Sequence, residues 1–256
     1  MLEGALAVGA TLIALAATLS TFDRWLRRRR PYEVAWSTAF ALFTIASGAL
    51  AVGAGVGWTE PTFRIFYLFG AILNVPVLAA GTLMLHGTES TRRRTVVWVT
   101  LFSAFALGVV VTAPLTSPLP IDRLARGSEV LPIMPRLLAA VASGVATLIV
   151  VGGALRSAGR FRSVSGGGRR AGANLLIAAG VLITGASGLA NSLLGDMGAF
   201  ALFLAVGVAV IFVGYLVSTT GSGRGDITPG AAAASPLDDS NTDVELPPSH
   251  SAASAG

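Results

Sequence analysis

The feature that most limits what this chain can fold into is a set of seven apolar stretches, each about as long as a bilayer core is thick. They cover residues 3–22, 34–57, 62–85, 95–113, 134–156, 172–194 and 198–219. A hydrocarbon layer of about 30 Å is crossed by roughly 20 residues of α-helix. Lipid offers no water to bond a peptide group, so each stretch is expected to be helical, with its amides and carbonyls paired internally. Only 12% of the residues are charged and 53% are hydrophobic. A soluble domain carries about a quarter charged residues. The expected fold is therefore all-α: a polytopic bundle of seven transmembrane helices over residues 1–220.

Arginine placement sets the expected orientation. The chain has no lysine, and its 18 basic residues are all arginines. Arg24, Arg27 to Arg30, Arg92 to Arg94, Arg156, Arg160, Arg162, Arg169, Arg170 and Arg224 fall on one side; Arg64, Arg123, Arg126 and Arg136 fall on the other. Basic residues are retained in the cytoplasm, so the N-terminus is expected outside and the C-terminus inside. The first stretch begins "MLEGALA", with Glu3 and no basic residue ahead of it, and is followed by "RWLRRRR". That charge order fits an N-out anchor rather than a cleaved signal. Trp25, Trp36, Trp58 and Trp98 all fall at expected helix ends, where an indole keeps its N–H in the polar interface.

Two segments stand apart from the spans. The connection 114–133 holds Pro114, Pro118, Pro120 and Pro132, which pin its backbone; within it, "IDRLA" is expected to form a short surface helix. Residues 221–256 turn to Gly, Ala, Ser, Pro and Asp and bury too little apolar surface to order, so they are expected to be a disordered acidic tail.

Ionisable groups inside a span are the usual carriers of membrane chemistry. No Asp, Glu, Lys or His falls in the middle third of any stretch. There is no cysteine, and the two histidines are His86 and His250. Thiolate sites, a retinal Schiff base, a haem or zinc site and a buried carboxylate relay all lack their parts. No metal, cofactor or nucleic-acid partner is expected. The arginine runs are read as topology determinants that also meet anionic lipid head groups.

Three motifs carry more specific expectations. The sequence "TGASGLANS" sets Ser187 between Gly185 and Gly188, a pattern similar to the nucleophile of rhomboid-type intramembrane proteases. A serine needs a base in hydrogen-bond reach. His250 lies in the tail, and His86 lies at the opposite end of the third span, so the dyad cannot form. The same residues fit a packing seam instead: Gly180, Thr184, Ser187 with Gly188, and Asn191 recur at spacings of three and four. The second span has a like stripe, Ser37, Ala41, Thr44, Gly48, Ala51 and Gly55, which makes the second and sixth spans candidates for a close-packed centre.

In the third span, Pro76 frees the carbonyl of Ile72, so a kink is expected. Arg64, Tyr67, Ala71, Asn74, Leu78 and Thr82 share one helical face. That stripe fits a pocket open to the outside, with Arg64 attracting an anionic head group and Asn191, Glu129, Asp122 and Asp196 as outer neighbours. It also fits an i,i+4 ion pair of Glu60 with Arg64 and an asparagine bonded to a neighbouring helix.

Residues 27–85, "RRRPYEVAWSTAF…NVPVLAAGTLML", resemble a recurrent segment of uncharacterised multi-pass proteins of actinobacteria, with Trp58, Arg64, Tyr67, Gly70 and Gly81 its most distinctive positions. The whole is also similar to the seven-helix input modules that precede bacterial histidine kinases, although no kinase is expected in so short a tail. The resemblance implies an integral protein of the bacterial plasma membrane. The expected function is a non-enzymatic, sensor-like or scaffolding component with a membrane-protein partner. The alternative is a facilitator for a lipid or small molecule with a pocket along the third span. A cavity reaching Asn74 from both halves of the chain favours the second.

Overall fold

The computed structural model describes residues 2–120, 126–162, 168–194 and 197–219. The acidic tail and the "IDRLA" segment lie outside these residues, as do Asp122, Asp196 and the Asn191 side chain. Among the described residues the chain is helical throughout, with no strand. The helices are α1 (Leu2–Arg28), α2 (Pro31–Val56), α3 (Glu60–Phe66), a π-helical stretch (Tyr67–Leu73), α4 (Asn74–His86), α5 (Glu89–Thr112), α6 (Gly127–Val130), α7 (Ile133–Arg162), α8 (Gly168–Leu194) and α9 (Met197–Thr219). Counting α3, the π-helical stretch and α4 as one continuous span, seven helices are long and apolar enough to cross a membrane. The chain is a multi-pass membrane protein.

Several helices run past their apolar stretches, because apolarity marks the part that crosses lipid while the hydrogen-bonded rod continues into the head groups. α1 continues to Arg28, and only Arg29 and Arg30 separate it from α2. Arg29 takes a left-handed conformation (φ 53°) and returns its N–H to the Trp25 carbonyl, a helix-ending turn usually given to glycine. Pro31 then starts α2 at a position that needs no N–H. α5 begins at Glu89, six residues before its apolar run, with the Thr88 hydroxyl accepting from the Thr91 N–H. The arginines at this end therefore stand largely on helix termini. It is called the arginine-rich end below, and the end bearing α6 the loop end.

The third span is the centre of the bundle, with 56% of it buried against 11% of α5. It packs on α2, α5 and α7, while α1 pairs with α2 and α8 with α9. The expectation of a joint centre made by the second and sixth spans is corrected: their small-residue stripes serve different partners. The α2 stripe faces α1, where the Thr44 and Thr18 hydroxyls lie 3.3 Å apart and Ser37 donates to the Thr18 carbonyl. The α8 stripe faces α9: a methyl group on Gly180 would fall 2.7 Å from the Gly207 carbonyl oxygen and 2.5 Å from Ile211.

Two tryptophans also depart from expectation. Trp36 and Trp58 are each 8% exposed, and neither indole N–H has a hydrogen-bond partner. Trp58 lays its ring face on Gly53, and Trp36 turns the Cδ1–Nε1 edge of its indole to Gly81. A methyl on Gly81 would overlap the Trp36 ring, and one on Gly53 would stand 2.5 Å from Trp58. They are packing plates inside the bundle rather than interface anchors. Trp98, 71% exposed, keeps the expected role.

Candidate ligand cleft

Ahead of Pro76 the third span widens into the π-helical stretch Tyr67–Leu73. In that winding a carbonyl pairs with the N–H five residues on. For Ala71 that residue is Pro76, which has no N–H. The Ser143 hydroxyl on α7 donates to the Ala71 carbonyl instead, at 2.8 Å. A serine on another helix thus supplies the bond that the proline withholds.

The extra residue per turn breaks up the expected stripe. Arg64 faces α5 and donates to the Val110 and Ala113 carbonyls at that helix's C-terminus, while holding Glu60 at 2.6 Å. It closes a helix end whose carbonyls have no partners of their own; of the two readings of Arg64, the ion pair with Glu60 is the one present. Leu78 joins the packed interior with Phe40, Val77 and Val181. Thr82 turns toward α7, where a methyl on Gly153 would meet its side chain at 2.8 Å. Tyr67 and Asn74 alone of the six polar and spacer positions remain with Ala71 on a common opening.

That opening is a cleft of about 520 Å³ at the loop end, within the range of small-molecule sites. The second, third, fifth, sixth and seventh spans all line it. Phe43, Phe66, Phe200 and Leu204 form apolar walls, and Tyr67, Asn74, Arg136, Ser143, Thr147 and Thr184 add polar groups. Gly127 and Ser128 of α6 border its mouth, with Gly127 seated on the Tyr67 ring so closely that a methyl would fall 2.8 Å from it. The loop around α6 is fixed by Thr116, whose N–H and hydroxyl bond the Val130 and Glu129 carbonyls. Glu129 lies 3.8 Å from Arg126. It is not part of the cleft lining.

Asn74 forms the floor. It is 6% exposed, and its amide makes no hydrogen bond with any described residue. Below it, the space among Phe40, Val75, Leu78, Val181 and Ile211 is about 10 Å³, at the lower limit for one water molecule. The cleft therefore ends at Asn74.

The Gly185-Ala186-Ser187-Gly188 motif stands at the side of the same cleft. Ser187 is buried and donates to the Thr184 carbonyl at 2.6 Å, along its own helix. Gly180 and Thr184 make the contact with α9, and Thr184 also reaches the cleft. Gly185 and Gly188 are different: both border the cleft, both are exposed, and neither has a heavy atom within 4 Å of where a methyl would stand. Gly188 is thus no part of a close seam. The two glycines leave a gap between α8 and α7 rather than drawing helices together.

The arginine-rich end holds a group that the sequence reading passed over. Glu33, in the first turn of α2, is 2% exposed and lies 3.4 Å from Arg24. Arg24 also stands 5.8 Å over the Tyr215 ring, and Tyr215 packs edge-on against Trp36 at 5.9 Å. Glu33 stands outside the middle of its span; two acidic residues, Asp23 and Glu33, among five arginines were the available signal.

No family model, curated protein or solved structure matches this chain.

Proposed function

We propose that this protein is a non-enzymatic binding protein of the bacterial plasma membrane that takes up an amphiphilic small molecule or lipid in the loop-end cleft. The observation that carries this reading is Asn74: a largely buried side chain whose amide borders the floor of a cleft lined from both halves of the chain. A polar group held in lipid without a partner is costly; a ligand carbonyl, hydroxyl or amide would satisfy it. Arg136 at the mouth favours an anionic group there, and the aromatic walls favour an apolar body between. The loop end faces outward in this reading, because arginines crowd the other end. Closure below Asn74 suits a receptor for such a ligand, or the outward-facing state of a carrier. Scaffolding through helix contacts alone leaves the cleft unused.

The test is lipid extraction and mass spectrometry of protein purified in mild detergent. Wild-type protein should retain a stoichiometric amphiphile. Asn74→Leu should lose it at least tenfold while its melting temperature stays level or rises. The same retained molecules in both proteins would overturn the reading. A reporter fused after Gly221 that reads as extracytoplasmic would overturn the orientation.

A further inference from the structure

At the arginine-rich end, away from the cleft, three hollows join along the flank of α5. Arg94 and Trp98 border both a hollow of about 300 Å³ with Ser90 and Arg93 and a groove of about 590 Å³ against Pro76 and Phe102. Leu83, Thr91 and Ile149 border both that groove and a third hollow of about 530 Å³, which reaches Gly152 and Arg156 on α7. The result is one trough between the third span, α5 and α7. It exists because α5 lies loosely on the bundle and small residues, Ala79, Ala80, Ala142, Ala146 and Gly152, form its floor.

The trough has two chemistries in a fixed order. Its rim carries Arg93, Arg94 and Arg156, all exposed, and no carboxylate among the described residues pairs with them; Glu89 at the same end is held by Arg92. Its length toward the bundle middle is apolar. Trp98 sits between the two, with its ring exposed, at the depth an indole prefers. Cations on both sides of the mouth, above an apolar channel, match one kind of bilayer molecule: a phosphate head on two acyl chains. A transmembrane helix seated here would have to bring a carboxylate to each arginine.

We propose that this trough seats an anionic phospholipid of the surrounding leaflet. Its phosphate lies at Arg93, Arg94 and Ser90, with Arg156 across the mouth, and its chains run against Phe102, Leu83 and Ile149. This differs from diffuse attraction to arginine clusters in requiring a particular helix gap.

The test uses the full chain in phosphatidylcholine nanodiscs and follows tryptophan quenching by brominated lipid at low mole fraction. The part of the signal lost in Trp98→Phe reports the trough. Brominated phosphatidylglycerol should quench it at a lower mole fraction than brominated phosphatidylcholine. Arg94→Gln and Arg156→Gln should each narrow that preference about fivefold. Gly152→Leu should weaken quenching by both lipids without loss of folding, since a side chain there starts in open space. Arg169→Gln, on α8 and away from the trough, should leave the preference intact. The proposal falls if the Arg94 and Arg156 variants keep the preference, or if Arg169→Gln reduces it equally. It also falls if crosslinking through α5 and α7 yields a dimer that phosphatidylglycerol does not dissolve, which would make the occupant a helix.

Discussion

At the arginine-rich end the chain brings Arg24 within 3.4 Å of Glu33, lays Tyr215 under the guanidinium and presses Trp36 onto Gly81 until nothing more fits. At the loop end Arg136 borders a cleft with no described carboxylate in its lining, and the Asn74 amide faces its floor. Both ends hold an arginine, a tyrosine and buried polar atoms. One end pairs its charges, although the Trp36 N–H and one Glu33 oxygen stay unbonded; the other leaves its polar groups facing a space. A charge inside a bundle costs free energy unless it is met, so the paired Arg24 and Glu33 serve folding, while the groups around the open cleft have room for a ligand. Substitutions at the closed end should damage stability, and those at the open end should damage binding.

The largest effect is expected at the ion pair. Arg24→Leu strands the Glu33 carboxylate in the bundle and should destabilise the protein by about 3–5 kcal/mol in reversible detergent unfolding. Arg24→Leu with Glu33→Leu should recover most of that loss, because both charges are gone. If the single and double variants lose the same amount, the packing of the two side chains matters rather than their charges. The contrast between the ends would then need another basis.

Next comes the glycine under Trp36. A methyl on Gly81 would overlap the indole ring, which is rigid and hemmed by Tyr32 and Tyr215 at ring distances of 6.1 and 5.9 Å. Overpacking of this kind costs about 1–3 kcal/mol. Gly81→Ala should lower the unfolding midpoint accordingly, and Gly81→Ala with Trp36→Leu should regain part of it. An unchanged midpoint in Gly81→Ala would show that Trp36 has room to swing away.

These sites also show where the sequence could be read and where it could not. The seven spans were legible because length and apolarity are properties of a segment, independent of its neighbours. The burial of Trp36 and Trp58 was not, since an indole at a helix end has the same sequence whether it meets head groups or a glycine on another helix. The π-helical stretch had one visible cause, Pro76, but the hydroxyl that makes it tolerable sits 72 positions away from Ala71, on Ser143. Once that winding shifts the register, a stripe drawn at 3.6 residues per turn separates: Arg64 goes to a helix cap, Tyr67 and Asn74 to the cleft, Thr82 to α7. The sequence did pick out both walls of the cleft, Tyr67 with Asn74 and Thr184 with Ser187. It gave no means of telling that they border one space.

The smallest effect on folding, and the sharpest division within a single helix, is expected on α8. Gly180 and Gly188 are two turns apart, and both read as seam residues. Gly180→Ala puts a methyl against the α9 backbone, 2.7 Å from the Gly207 oxygen and from the Ile211 nitrogen. The backbone cannot step aside as a flexible side chain would, so a cost of about 1–3 kcal/mol is expected. Gly188→Leu puts a far larger group where nothing stands within 4 Å. Its stability should change by less than about 0.5 kcal/mol, since exposed positions of this kind are tolerant and leucine is the better helix former. Its effect should appear elsewhere: the side chain grows into the gap between α8 and α7, and amphiphile retention should fall while the melting temperature holds. If Gly188→Leu unfolds the protein as readily as Gly180→Ala, the glycines of α8 form one continuous seam and the side opening of the cleft does not exist.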